Sequence, residues 1–242
     1  MKRSIVIPVY NEAKRLPPTL RRLAEWAVSQ VHETEILLVD DGSADRSCDL
    51  IRAAQAKHPA ANFVLLRNET NHGKGYAVRQ GMLEARGEIC LFCDADLATP
   101  LEEIGRLAPL LGEADVVLGS RAMAASNVTQ KQSAYRQLGG RGINLIIQLL
   151  AVPGIRDSQC GFKLFRREAA RQIFERVTLD GFSFDVEVLF IARRLGLTVR
   201  EAAISWADVE GSKVQPLQDA LRLLRDLLII RRNGWQGRYR DP

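Results

Sequence analysis

Two aspartates separated by one residue, Asp94 and Asp96, close an apolar run at Leu91-Phe92-Cys93. A strand that ends this way presents two carboxylates side by side, a hard-oxygen donor pair suited to Mg²⁺ or Mn²⁺. Such a cation fits a nucleoside diphosphate. In open α/β sheets ligands bind beyond the carboxyl ends of the strands, so position and chemistry agree. An Asp-x-Asp pair also occurs where a strand simply turns, here with Thr99-Pro100 opening the next helix. Its weight therefore comes from its neighbours. A second cluster is Asn71-His72-Gly73-Lys74-Gly75. Glycines ahead of a helix let backbone N–H groups approach a phosphate, and Lys74 would add a charge. The spacing matches neither a P-loop nor a G-x-G-x-x-G fingerprint, and a glycine turn with a solvated lysine is an equal reading. His72 has no His or Cys at ligand spacing and reads as a turn residue.

These groups need strands and helices to bring them together. Residues 4–9 read as a buried strand, with a turn at Tyr10-Asn11-Glu12 and a helix opened by Pro17-Pro18-Thr19 and ending near Gln30. Residues 35–39 form a second strand, stopped by Asp40-Asp41-Gly42-Ser43; a helix over 44–57, a third strand over 63–66 and a helix over 76–85 follow. The alternation predicts an α/β fold with a parallel, doubly wound sheet. It places Tyr10-Asn11-Glu12, Asp40-Asp41 and Asp94-Ala95-Asp96 along one edge.

With 242 residues, 46% hydrophobic and 26% charged, the chain has the composition of one large domain with a full core. The net charge of +5 points to an anionic partner: nucleic acid, a membrane surface or a phosphorylated substrate. No zinc, RRM-like or helix-turn-helix pattern supports nucleic acid. Of the four cysteines, Cys90 and Cys93 form a Cys-x-x-Cys inside an apolar strand, and with Cys48 and Cys160 they read as buried reduced thiols on a cytosolic face. The apolar run after Met1-Lys2-Arg3 is interrupted at Pro8, Asn11 and Glu12, too early for a signal peptide. No segment reaches the ~20 apolar residues of a spanning helix. The expectation is a protein in solution or lying on a membrane.

In the second half, a strand at 116–120 delivers Arg121 to its C-terminal edge, where phosphate is the natural partner of a guanidinium. Residues 123–132 lack periodicity and read as a loop. Arg136 and Arg141 open a helix that becomes apolar nearly all round over 143–152 before Pro153-Gly154, as a core helix or one dipping into lipid would. Asp157-Ser158-Gln159-Cys160-Gly161-Phe162-Lys163 precedes another strand. Asp185 and Glu187 would point to opposite faces if extended; a helix over 184–194 makes Glu187 a structural residue at the core edge. Residues 217–232 form a basic amphipathic helix, with Leu217, Ala220, Leu221, Leu224, Leu227 and Leu228 on one broad face, packed on the domain or laid on a membrane. Trp235 and Tyr239 among arginines suit a lipid headgroup zone.

Together these residues resemble glycosyltransferase family 2, inverting GT-A enzymes that use nucleotide sugars. The matching runs are Ile7-Pro8-Val9-Tyr10-Asn11-Glu12, Val39-Asp40-Asp41-Gly42-Ser43, Asn71-x-Gly73-Lys74-Gly75 and Asp94-Ala95-Asp96. The resemblance implies a GT-A fold: a Rossmann-like, mostly parallel sheet with helices on both faces, in a single domain with interfacial helices. It implies Pro8, Tyr10, Glu12 and Asp41 around the base and ribose, Gly73 and Lys74 on the donor side, and Asp94 and Asp96 at the ribose, diphosphate and metal, Mg²⁺ or Mn²⁺. The runs 157–165 and 181–187 look like the family's acceptor-side signature, bringing Asp157, Lys163 and Asp185. Glu210-Gly211-Ser212-Lys213 resembles the loop that closes over the diphosphate, with Lys213 as its cation. Asp96, Arg121, Arg136 and Lys213 form the implied catalytic set. Within the family, the chain to about Lys213 is most similar to polyprenyl-phosphate sugar synthases, the dolichyl-phosphate glucosyl- and mannosyltransferases, and nearer the glucosyl branch. At Ala98 the mannosyl relatives often carry Gln, so here one metal ligand would be water.

On that reading residues 1–122 bind the nucleotide sugar, 123–214 bind the acceptor and carry an interfacial helix at about 136–152, and 215–242 form a basic helix and tail. The implied reaction moves a hexose, glucose first, from a nucleoside-diphosphate sugar to a polyprenyl phosphate, by an enzyme peripheral on the cytoplasmic membrane face. A phosphate monoester, with a second pKa of ~6, is already anionic at neutral pH. It needs positioning rather than a base, which suits Arg121, Arg136, Lys163 and Lys213 beside an ambiguous Asp157 or Asp185. The alternatives are GDP-mannose as donor, a soluble or cell-wall glycan as acceptor, and a non-enzymatic nucleotide- or nucleic-acid-binding module.

Overall fold

Short β-rich apolar runs alternate with amphipathic helices through the first half. A computed structural model, describing residues 2–130, 134–207 and 216–240, turns them into β1 (Arg3–Val9), α1 (Leu16–Ser29), β2 (Thr34–Asp40), α2 (Ser47–Lys57), β3 (Phe63–Arg67), α3 (Lys74–Glu84) and β4 (Ile89–Cys93). The four strands run parallel, each reached through a helical crossover. The chain steps outward from β1 to β2 and β3, then returns to set β4 on the other side of β1. That reversal opens a crevice between the C-terminal ends of β1 and β4, where ligands of such sheets bind.

The second half extends the same sheet. After α4 (Glu103–Leu107) come β5 (Val116–Ser120), β6 (Asn127–Gln130), α5 (Ala134–Leu150), β7 (Phe162–Arg166), α6 (Arg167–Phe174), α7 (Phe184–Arg194), β8 (Val199–Ala203), β9 (Ser205–Ala207) and α8 (Pro216–Trp235). The seven-stranded order is β3-β2-β1-β4-β7-β5-β8. β7 is antiparallel to both neighbours, so the sheet is mostly rather than wholly parallel. One core layer packs α1 and α4 on one face of the sheet; the other packs α3, α5, α6, α7 and α8 on the opposite face. All four cysteines are buried and unpaired.

Three expectations change. Within the 123–132 loop, residues 127–130 form β6, which pairs with β9 across the sequence, a long-range match that local periodicity does not carry. In α8 the buried stripe is Leu223, Leu227 and Ile230, while Leu221, Leu224 and Leu228 are exposed; the apolar residues wrap two faces rather than one. Tyr239 is not in a headgroup zone but 1% exposed, its ring edge-on to Phe190. Trp235 remains exposed. The expected helix over 184–194 forms, with Glu187 wholly buried. Among the described residues no helix is long and apolar enough to cross a membrane.

Phe174 ends α6 fully buried, with its ring edge against Phe165 at a centroid distance of 5.5 Å. Phe174→Ala is expected to cost about 3–5 kcal/mol, read as a lowered midpoint in urea unfolding.

Candidate active site

Hydrogen bonds between loops build the crevice. β1 ends at Val9, and Asn11 turns the chain in the left-handed region, φ 51°, a conformation asparagine tolerates better than most residues. Its side-chain oxygen accepts the Ala44 N–H at 2.9 Å, while its own N–H donates to Ser43 Oγ and that of Glu12 to Ser47 Oγ, each at 2.9 Å. The loops after β1 and β2 are thereby zipped together. Asp41, 2% exposed, accepts from Asn68 Nδ2 (2.9 Å), Asn71 Nδ2 (2.8 Å) and the N–H groups of His72 (3.1 Å) and Gly73 (2.7 Å). Its carboxylate thus folds the 68–73 loop from within. Tyr10 stands exposed at the rim, and Pro8 lies in β1, paired with Val39 of β2.

The glycine loop does not make an open amide cradle. The Gly73 N–H goes to Asp41, and those of Gly75 and Tyr76 donate to the Asp180 carbonyl at 2.7 and 3.3 Å. Gly73 is needed for its backbone, φ 115°, and for space, since a Cβ there would stand 2.4 Å from the Asp180 oxygen. What the loop presents to the crevice is Lys74, whose ammonium lies 2.7 Å from Asp94 Oδ1. Burial works against that charge, but Asp94, backed by Asp185 and Asp96, outweighs it and raises the Lys74 pKa.

Asp94 and Asp96 share the rim of a small cleft with Leu97, Ala98, Thr99, Gly161 and Trp206. A Cβ at position 161 would fall 2.0 Å from Asp94 Oδ2, so glycine is what admits the carboxylate. Asp96 Oδ1 accepts the Ala98 N–H at 3.1 Å, and Leu97 between them has φ 49°, strain of the order of 1–2 kcal/mol. Burial, then the neighbouring Asp94, raise the Asp96 pKa. The second oxygen of each carboxylate accepts no hydrogen bond from the described residues. This donor set fits a divalent cation. No cluster of three or more His, Cys, Asp or Glu stands ready for it among the described residues, so diphosphate and water would complete the shell.

Sequence reasoning passed over Arg15. Its guanidinium forms a two-bonded pair with Glu12, 2.7 Å at each contact, and faces the field of Asp96 and Asp94. It lines, with Lys14, Arg22 and Asp96, a groove of about 460 Å³. The i,i+3 spacing of Glu12 and Arg15 ahead of Pro17-Pro18 was the available signal.

The residues expected on the acceptor side are held in ion pairs. Arg121 grips Asp157 through Nε (2.8 Å) and a terminal nitrogen (2.7 Å), and its guanidinium lies 5.3 Å from the Trp206 ring centre. Burial opposes the Arg121 charge, but the Asp157 hydrogen bonds outweigh it and raise its pKa. Lys163 is not an accessible phosphate ligand. It is 1% exposed, ion-paired with Asp185 and donates to the Cys160 carbonyl at 2.7 Å. Asp185 is equally buried, and that burial raises its pKa against the pull of Lys163. The side chains of Arg136 and Arg141, and all of 210–213 including Lys213, lie outside the described residues.

The mostly parallel sheet, with a carboxylate pair and a lysine at its switch point, has the GT-A fold. The profile of glycosyl transferase family 2 matches residues 4–174, and the chain belongs to that family. It is 36% identical to the dolichyl-phosphate beta-glucosyltransferase of Dictyostelium discoideum over 94% of this chain and 73% of that one. The human dolichyl-phosphate beta-glucosyltransferase is 34% identical over 98% of this chain and 77% of its own. Among solved structures, mannosyl-3-phosphoglycerate synthase from Rubrobacter xylanophilus superposes with a TM-score of 0.70 at 18% identity, covering 98% of this chain and 76% of that one. Glucosyl-3-phosphoglycerate synthase from Mycobacterium tuberculosis, in complex with Mn²⁺, UDP-glucose and phosphoglyceric acid, gives 0.62 at 17%, covering 100% and 80%.

Because the folded-state pKa of Asp96 is raised, its ionisation opposes folding: the penalty is absent at pH values below the unfolded pKa and grows as pH rises through the folded one. In chelator at neutral pH, Asp96→Asn is therefore expected to melt at a higher temperature than wild type. The same variant is expected to lose transfer activity by on the order of 100-fold or more. Gly161→Ala is expected to displace Asp94 and weaken Mn²⁺ binding, measured by titration with an EPR readout, with the circular dichroism spectrum unchanged.

Proposed function

We propose that this glycosyltransferase moves glucose from a nucleoside-diphosphate glucose to a polyprenyl phosphate of the dolichyl type, with inversion, at a membrane surface. The observation that carries the acceptor is the pairing of Asp157 with Arg121 and of Asp185 with Lys163. A hydroxyl acceptor needs a carboxylate to take its proton, and the two carboxylates expected on the acceptor side, Asp157 and Asp185, are both bound to cations. A phosphate monoester needs no such base. The names carried by relatives at 34–36% identity over nearly the whole chain support glucose and a lipid phosphate.

Asp94 and Asp96 would hold Mg²⁺ or Mn²⁺, which supplies charge compensation for the departing nucleoside diphosphate. Lys74 lies against the same carboxylates, where the donor's phosphates would arrive. Tyr10, at the rim, would flank the base, with Pro8 and Glu12 in the loop behind it and Asp41 setting the shape of the neighbouring loop. Arg121, aligned by Asp157 and Trp206, would orient the incoming phosphate with Arg136, and Lys213 would close over the diphosphate. Leu145, Leu149 and Leu150 on α5 and Leu221, Leu224, Leu228 and Trp235 on α8 are exposed, with Arg222, Arg225 and Arg232 exposed along α8. Apolar side chains beside arginines suit an anionic lipid interface.

Incubation with UDP-glucose, dolichyl phosphate and Mn²⁺ is expected to yield a lipid-linked glucose by mass spectrometry, abolished by chelator. Product from GDP-mannose alone, or glucosylation of a water-soluble alcohol in place of the lipid phosphate, would refute the assignment. In vesicle flotation, Leu149→Glu with Leu228→Glu is expected to release the protein from phosphatidylglycerol-containing liposomes.

A further inference from the structure

Glu187 is a carboxylate the chemistry does not use, yet it is wholly buried in the first turn of α7. Burying an ionised carboxylate is costly unless donors surround it. Here Oε1 accepts the Tyr239 hydroxyl and the Thr178 hydroxyl, each at 2.6 Å. Oε2 accepts the N–H groups of Thr178 (3.0 Å) and Leu179 (2.8 Å). Asn233, near the end of α8, donates to the Tyr239 and Thr178 hydroxyl oxygens at 3.2 and 3.3 Å. Glu187 thus ties the C-terminal segment to the turn that follows residue 177.

That turn is the part that grips the lysine loop. One residue beyond Leu179, the Asp180 carbonyl accepts the Gly75 and Tyr76 N–H groups, capping α3 at its first turn. Arg79 of α3 donates to the Val177 carbonyl at 2.9 Å and pairs with the Asp180 carboxylate at 3.5 Å. The approach is too close for side chains: a Cβ at Gly75 would stand 2.4 Å from the Leu179 oxygen, as one at Gly73 would from that of Asp180. Lys74 lies between those two glycines, and its ammonium is further walled by the rings of Phe182 and Phe184.

We propose that Glu187, held by Tyr239 and Asn233, is a positioning residue for Lys74: it fixes the 178–180 turn, and the turn sets where the ammonium stands against Asp94 and the donor phosphates. The C-terminal segment, which on the proposed function lies at the lipid side, is then mechanically joined to the donor site. The inference rests on the reading of Lys74 as a donor-binding residue.

The test is a double-mutant cycle between Tyr239→Phe and Lys74→Met, followed through the KM for UDP-glucose at saturating dolichyl phosphate and through calorimetric binding of UDP with Mn²⁺. Tyr239→Phe is expected to raise the donor KM about fivefold, with the acceptor KM unchanged within about twofold. In the Lys74→Met background the same change is expected to add nothing. Thr178→Val, which removes a different donor to Glu187, is expected to reproduce the pattern and serves if Tyr239→Phe folds poorly. Ile51→Val trims the core layer on the opposite face of the sheet, away from Glu187, Tyr239 and Asn233, and is expected to lower the melting temperature while leaving the donor KM in place. Multiplying effects in the double variant, or a donor KM raised equally by Ile51→Val, would overturn the proposal. If Lys74→Met itself leaves donor binding intact, the donor reading of Lys74 fails first and the positioning role with it.

Discussion

Compensation of carboxylate charge is the constraint on which the active-site edge depends. Glu12, Asp41, Asp94, Asp96, Asp157 and Asp185 all gather at or near the C-terminal ends of the strands, where low dielectric makes unpaired charge expensive. Each is answered differently. Glu12 has Arg15, Asp94 has Lys74, Asp157 has Arg121 and Asp185 has Lys163, while Asp41 is surrounded by amide donors. Asp96 forms no ion pair with a described residue, and burial, then the neighbouring Asp94, raise its pKa. A divalent cation is the group that would relieve it.

This arrangement separates two tasks that the sequence places side by side. The Asp157–Arg121 and Asp185–Lys163 pairs hold their side chains in place, and it is the Asp157 carboxylate that keeps Arg121 aligned. The pair at 94 and 96 remains oxygen-rich toward the crevice. Of the six acidic side chains at this edge, five have a cation or several amide donors among the described residues, and Asp96 has neither. Under the proposed reaction an anionic phosphate needs only to be placed.

Close backbone approach is the second organising device. Gly161 lets the Asp94 carboxylate lie against β7, and Gly73 and Gly75 let α3 dock on the 178–180 turn. Both contacts join the first half of the chain to the second, through a sheet in which β7 inserts between β4 and β5. Asp94 and Asp96 therefore share one framework with Asp157, Lys163 and Asp185, and the buried Glu187 extends it to Tyr239 near the C-terminus.

Much of this was legible in the residues alone. Alternation of apolar strands and amphipathic helices determined β1 to β4 and their crossovers, because a parallel sheet buried on both faces demands continuous apolar runs. The strand-end placement of Asp94 and Asp96 followed from the same pattern, as did the helix that makes Glu187 structural. What no local pattern held were contacts between distant segments: β6 with β9, Lys163 turned inward to Asp185, the glycine-loop amides spent on Asp41 and Asp180, and Tyr239 folded into the core. Composition and spacing report which face of an element is apolar and which residue types can do chemistry. They do not report which charge neutralises which, since that depends on side chains meeting across tens of residues, and only the tertiary structure brings those partners within 3 Å.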